Sequence, residues 1–548
     1  MNWLLPFVAL LPILAVTVLM VGFMWPSRRA MPVGALLAVG VALVGWQMAP
    51  VKLVAAALAG IINALDILII VFGAILILQL MKKSGGMAAI SRSMSAISTD
   101  RRVQALIIAW LFGSFIEGAA GFGTPAAVAA PLLVGMGFPP LIAAILTLVA
   151  DSTSVSFGVV GVPTRLGLEP LRGAVTLPAG MDHGALILAV AARAGLLHFA
   201  IGTFIPLIMV ALMTKLTERS FRRGLEIWRL ALFAGLLFTV PQAILAVTLG
   251  PELPTLLGSL IALPIFLFAV TRGFLTPKDA WDFPPKAKWP ADWEGSIPAG
   301  SDGGQDRPVL SAARAWLPYL LVGALLLLTR LDVLPFAGWL QGLRVAWDDI
   351  LGTGISRGIA PLYNPGILPF GLVALLIPPM HGVHWRNAFA ATREAFVMVG
   401  AAAVALISAL IMVYVMMNSG GADGRAAMLI VVAQAAADVT GQSWYLIAPL
   451  VGVLGAFISG SNTVSNIMFG LLQYDTALQN GLPPAWILAL QAVGGAAGNM
   501  ICVHNVVAVL TTVGLVGKEG IVVRTNAGIS LGYALLAGVV AWAVVSFL

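Results

Sequence analysis

Apolar residues in this chain gather into long runs, at about 3–24, 31–49, 61–81, 140–165, 184–213, 229–249, 254–270, 316–330, 366–380, 395–418, 484–515 and 526–548. Each run predicts a helix crossing a bilayer. Two further regions, 103–136 and 443–473, are equally apolar but are broken in the middle by Gly, Ser, Asn or Pro. Each is read as a re-entrant hairpin that enters and leaves the membrane on one face. One polar stretch, 271–314, is rich in Pro, Gly, Trp and charge and reads as a linker.

The two broken regions share a pattern. Gly113-Ser-Phe-Ile-Glu-Gly118 recurs as Gly455-Ala-Phe-Ile-Ser-Gly460. Each copy follows a Ser-Gly-Gly (from Ser84 and from Ser419), and each precedes a Gly-x-Pro-Pro (from Gly137 and from Gly481). Gly/Pro-interrupted segments at matching places in two halves are the sequence mark of a transporter's substrate site. The chain therefore divides into N-terminal helices (1–50), a first repeat (51–250), connecting helices with the linker (251–365) and a second repeat (366–548).

Composition agrees with this division. The chain is 60% hydrophobic and 10% charged, whereas soluble domains carry about 25% charged residues. So few charges cannot cover a water-facing surface, so the fold class is an all-α polytopic membrane protein. It has about twelve transmembrane helices, two re-entrant hairpins and two inverted-topology repeats. The run 3–24 lacks a basic lead and a small-residue cleavage site, and reads as a retained helix. The net charge of +7 reflects membrane orientation rather than nucleic acid. With both termini outside, 22 of the 30 Lys and Arg residues fall in inside loops. Seven fall outside (Lys52, Arg165, Arg172, Arg330, Arg344, Arg357 and Arg425), and Arg193 lies within a span. Seven spans separate the two Ser-Gly-Gly sites. An odd number gives the repeats opposite orientations, so the first hairpin enters from inside and the second from outside.

Chemistry concentrates at the hairpin tips and in the spans that follow them. The first tip, Glu117-Gly-Ala-Ala-Gly-Phe-Gly-Thr-Pro125, lets the backbone approach a ligand, with Gly121, Gly123 and Thr124 as contacts. The outgoing arm then offers its free N–H groups to a small anion. The second tip, Ser459-Gly-Ser-Asn-Thr-Val-Ser-Asn466, holds four hydroxyls and two amides that need partners in a bilayer. Ser461, Asn462, Thr463, Ser465 and Asn466 are its candidate substrate contacts. The following spans break at Asp151-Ser-Thr-Ser-Val-Ser156 and Gly494-Gly-Ala-Ala-Gly-Asn499, adding Ser152, Thr153 and Asn499. Ionisable residues within spans are functional candidates. Glu117, Asp151 and His504 are candidates for proton coupling, with hydrogen-bonded structural roles as the alternative. Arg193 is a candidate anion contact, unless it snorkels or pairs with Asp66. Zinc-protease, P-loop and serine-hydrolase signatures are absent. The single cysteine, Cys502, rules out an internal disulfide or a Cys-based metal site. Neither a cofactor nor a metal is expected.

Glu117–Pro125, Phe157-Gly-Val-Val-Gly-Val-Pro163, Ser459–Asn466 and Gly495-Ala-Ala-Gly-Asn-Met-Ile-Cys-Val-His-Asn-Val506 are together similar to the L-lactate permease family. The resemblance runs over nearly the whole chain. It implies a proton-coupled importer of short 2-hydroxy monocarboxylates in the bacterial inner membrane. It also implies kinship with ion-coupled transporters that have hairpins and inverted repeats, some of which form homodimers. Two departures stand out. The family pattern reads Asn-Thr-Ala-Pro where this chain has Asp151-Ser-Thr-Ser154, and often has Asp where this chain has Asn462. An acid and an amide have traded places. The alternatives are a sodium-coupled carboxylate transporter, a small-anion channel and a membrane enzyme.

Overall fold

A computed structural model describes the chain except for residues 1–3, 24, 96, 122, 178–179, 295–309, 331–333, 421–423, 516–517 and 548. Ten described helices are long and apolar enough to cross a membrane, or eleven if one bent pair counts as a single span. The expected runs 61–81 and 395–418 prove to be the apolar parts of two 34-residue helices, Pro50–Lys83 and Trp385–Asn418. At 1.5 Å per residue each is about 51 Å long, against a hydrocarbon core of about 30 Å. Hydropathy marks only the lipid-embedded part, and helical hydrogen bonding continues beyond it. The run 140–165 is not one helix. It bends by 62° between Pro140–Ala150 and the segment that starts at Val155. The run 484–515 likewise splits into Pro484–Gly498 and Val503–Thr512.

The two halves use the same elements in the same order. A 34-residue helix ends at a Ser-Gly-Gly; then come a short helix, a helical hairpin and a broken helix. The serines behave alike: Ser84 Oγ donates to the Met81 carbonyl at 3.1 Å and Ser419 Oγ to the Met416 carbonyl at 2.8 Å. The two long helices lie side by side and antiparallel. Lys52 Nζ donates to the Gly420 carbonyl, Gln79 packs on Met398, and Lys83 pairs with Glu394 at 2.6 Å. Gly60 makes the contact close, because a methyl group there would sit 2.9 Å from the Leu410 carbonyl oxygen.

The first hairpin joins Arg101–Ala119 to Thr124–Gly135, and Arg101 at its base bonds the Met136 carbonyl. The second joins Trp444–Ser459 to Asn462–Gln479. Its arms run antiparallel: Ser465 donates to the Gly452 carbonyl, and Gln473 bonds both Trp444 and the Ala448 carbonyl. The outgoing arm passes the expected limit of 473 because Gln473 and Thr476 are buried in partnered sites. The expected loop before this hairpin contains a helix, Met428–Thr440, that folds back at Gly441 and lies along the outgoing arm.

The stretch 271–314 differs from a free linker over its first part. Trp281, Phe283 and Trp293 are buried. Trp281 N–H donates to Asp100, which caps the first hairpin, and Arg101 N–H donates to the Trp281 carbonyl. Further along, Asp292 pairs with Lys518, just ahead of the last helix, Glu519–Phe547. The expected linker over 295–309 lies outside the described residues. Described strands form one antiparallel pair, Val345–Trp347 with Arg357–Ile359.

Crowding at Gly60 is testable. Gly60→Val should lower the thermal midpoint in detergent, since overpacking costs about 1–3 kcal/mol. Gly40→Val, where a side chain meets nothing within 4 Å, should leave the midpoint in place.

Candidate functional site

Both hairpin tips turn through left-handed backbone. Gly121 and Gly123 have φ of 51° and 74°, and Gly460 has φ of 79°. The outgoing arms then begin at Thr124 and Asn462 with no side-chain cap. A helix start leaves its first N–H groups without intrahelical partners and carries partial positive charge. The second tip borders a cavity with an empty volume of ≈ 300 Å³, together with Gly123 of the first tip. Five expected contacts, Gly123, Ser461, Asn462, Thr463 and Asn499, line this cavity together with the coupling candidate Glu117.

Behind it, the Glu117 and Asp151 carboxyl groups lie near enough to act on each other electrostatically. They are 2% and 3% exposed. Asp151 also receives Asn499 Nδ2 at 3.4 Å and Ser154 Oγ at 3.5 Å. Glu117 Oε2 has no partner. Two glycines make room for the Glu117 carboxyl. A methyl group on Gly158 would overlap Glu117 Oε1, and one on Gly121 would lie 3.2 Å from it. The Asn462 amide donates to the Ala492 carbonyl at 3.0 Å, and its oxygen, against Gly495, has no partner. Asn499 Oδ1 is likewise unpartnered. Buried polar atoms normally have partners, so an unpartnered set around one cavity marks a place for a ligand.

The other expected site residues bond within the fold or lie elsewhere. Ser152 Oγ returns to the Val149 carbonyl, and the Thr153 hydroxyl faces Tyr533. Ser465 ties Gly452 to Gln491, and Asn466 donates to the Pro163 carbonyl at 2.9 Å. Thr124 is half-buried at the start of its arm. His504 is exposed beside Gly460, and Arg193 bonds the Ala189 carbonyl and lies over Trp486. The alternative pairing of Arg193 with Asp66 does not form; Asp66 is held by Asn364. His198 bridges Tyr533 at 2.7 Å and Ser156 at 2.8 Å and so braces the first break.

Two features were not anticipated. Asn505 is 1% exposed with both amide atoms unpartnered, and its Oδ1 lies 2.5 Å from where Gly123 would carry a methyl group. A lone Asn one turn after Cys502 was the only sequence signal. Val159, Val160 and Gly161 form a left-handed turn with φ of 44°, 56° and 74°. For a β-branched residue that region is strained and persists only where surroundings enforce it. Nothing in the valines' identity announces it.

The sequence model of the L-lactate permease family matches residues 6–548. The chain belongs to the L-lactate permease family. Among its relatives, a putative L-lactate permease of Haemophilus influenzae is 30% identical over 534 residues, covering 93% of each chain. The L-lactate permease of Bacillus subtilis is 30% identical over 499 residues, covering 85% of this chain and 82% of that one. The glycolate permease GlcA of Escherichia coli K12 is 28% identical over 569 residues, covering 97% and 94%. Among solved structures, the Alcanivorax borkumensis YdaH transporter aligns with a TM-score of 0.42 at 15% identity, over 87% of this chain and 85% of that one. That score is too low to carry an argument. Family membership together with the apolar helices makes this a multi-pass membrane permease.

Within this permease family member, Gly158 is the sharpest structural probe of the carboxyl pair. Its φ of −64° suits alanine, so Gly158→Ala should fold and reach the membrane. It should still lose most uptake, because the methyl group displaces Glu117. Uptake assays beside a thermal melt separate the two effects; full activity would show that the position of Glu117 is unimportant.

Proposed function

We propose that this protein is a proton-coupled symporter of L-lactate or closely related short 2-hydroxy monocarboxylates, including D-lactate and glycolate, in the bacterial plasma membrane. The observation that carries this reading is the Glu117–Asp151 pair buried behind a cavity edged by uncapped helix starts. The N–H groups at Asn462 and Thr463 take the substrate carboxylate. The unpartnered oxygens of Asn462 and Asn499 accept from its 2-hydroxyl. The names of the relatives support the same substrates.

Coupling follows from electrostatics. Two carboxylates in contact in low dielectric repel, so one proton shared between them is the stable arrangement. With one proton shared, the pair carries a single negative charge, and an incoming anion adds a second unless a further proton accompanies it. Glu117 and Asp151 carry the proton, and His504, exposed beside Gly460, does not. Arg193 plays no part in anion binding.

The architecture fits alternating access. The long helices of the two halves are antiparallel, which supports inverted-topology repeats with hairpins re-entering from opposite faces. The repeats are 51–250 and 366–548, with N- and C-termini outside. Sodium coupling is the second reading, favoured by the unpartnered oxygens of Glu117, Asn462 and Asn499, which also suit a small cation.

Purified protein in proteoliposomes decides between them. An imposed proton gradient should drive uptake of labelled lactate, and a sodium gradient at fixed pH should not; the reverse result establishes sodium coupling. No uptake under either gradient would falsify the transport assignment. Asp151→Asn should abolish proton-driven accumulation. Adding Asn462→Asp, which restores an acid to the same cavity, should recover part of it. Full accumulation by Asp151→Asn alone sinks the assignment of Asp151.

A further inference from the structure

The left-handed turn divides two cavities. Val159 and Pro163 line the central one, while Val160 and Val162 line a second with an empty volume of ≈ 400 Å³. The wall between them is one chain thick. At the polar end of the second cavity, Arg165 lies 4.9 Å from the centroid of the Tyr363 ring and forms an ion pair with Glu252. Asp66 also lines this cavity; the Asn364 amide donates to one of its carboxylate oxygens, Oδ1, at 2.7 Å and to its backbone carbonyl at 2.9 Å. The opposite wall is aliphatic, including Ile70 and Leu166. A guanidinium facing an aliphatic wall suits a carboxylate with a small alkyl part. Arg165 is one of the basic residues assigned to the outer face.

We propose that the Arg165 cavity is a second, transient monocarboxylate site, the vestibule from which substrate reaches the central cavity across the Val159–Pro163 wall. The proposal rests on the transport reading above. Glu252 already balances the Arg165 charge, so an anion is held weakly and released readily, as a vestibule requires. The strained valines make the wall the element that moves: leaving the left-handed region releases strain as the two cavities join.

Ala360 lines the vestibule and is half-buried, so Ala360→Cys is the probe. Cys502 is the chain's single cysteine and is buried, so the wild type gives the labelling background. Proteoliposomes are treated with a membrane-impermeant maleimide with and without lactate, and uptake is measured in parallel. Lactate should slow labelling of Ala360→Cys. Adding Arg165→Gln should remove that protection and raise the KM for uptake by about tenfold, the loss of one charge-assisted contact, with little change in maximal rate. Adding Asn462→Ala, at the central cavity, should abolish uptake but keep the protection. If Arg165→Gln does not reach the membrane, Tyr363→Leu, which removes the ring beneath the guanidinium, is read in the same assays. Protection lost with Asn462→Ala means that lactate acts from the central site, and overturns the proposal. An unchanged KM in the Arg165 or Tyr363 variant also overturns it. Absence of uptake by the wild type would instead overturn the transport reading itself.

Discussion

In hydrocarbon, a broken helix strands its backbone polar groups, and each costs several kcal/mol unless the protein supplies a partner. This chain breaks two helices at depth, and much of its buried polarity answers that cost. Gln242 and Thr255 take up the carbonyls of Thr153 and Ser154, and Thr164 that of Ser156. At the second break Asn526 and Ser530 serve Met500 and Ala497. Asn466 reaches across from the second half to Pro163, and the Ala492 carbonyl accepts from Ser156 and Asn462 together. Of the buried polar atoms left without partners among the described residues, three belong to residues that line one cavity, Glu117, Asn462 and Asn499.

The sequence carried the frame well because the frame is periodic and local. Long apolar runs, the twin Ser-Gly-Gly and the twin Gly-x-Phe-Ile-x-Gly depend on helix formation and on close backbone packing, both visible in residue type. The tips were legible for the same reason, since glycines at positions of positive φ have no substitute of comparable cost. Partnership was not legible. Ser152, Thr153, Ser465 and Asn466 look like ligand contacts in a linear motif, and only the fold shows their hydrogen bonds turned to backbone. Asn505 is the converse case, an ordinary helical asparagine until Gly123 arrives from the other half.

Symmetry in the backbone coexists with asymmetry in chemistry. The first half contributes acids, Glu117 and Asp151, packed together. The second contributes amides and hydroxyls at the equivalent tip and break, Asn462, Thr463 and Asn499. Two copies of one architecture thus line a single cavity unequally, one with a carboxyl group and the other with amides and hydroxyls. Gly158 and Gly495 mark the same device in each half, since a methyl group would strike the Glu117 carboxyl in one and the Asn462 amide in the other.

The Trp281 strap has a mechanical meaning. It grips the first hairpin at Asp100 and Arg101, and through Asp292 it reaches Lys518 beside the last helix. That helix in turn supports the second break through Asn526 and Ser530. A segment with no group in the cavity therefore forms a tether between one half's hairpin and the other half's hinge. Parting the two would have to break these bonds, so this polar stretch resists their separation.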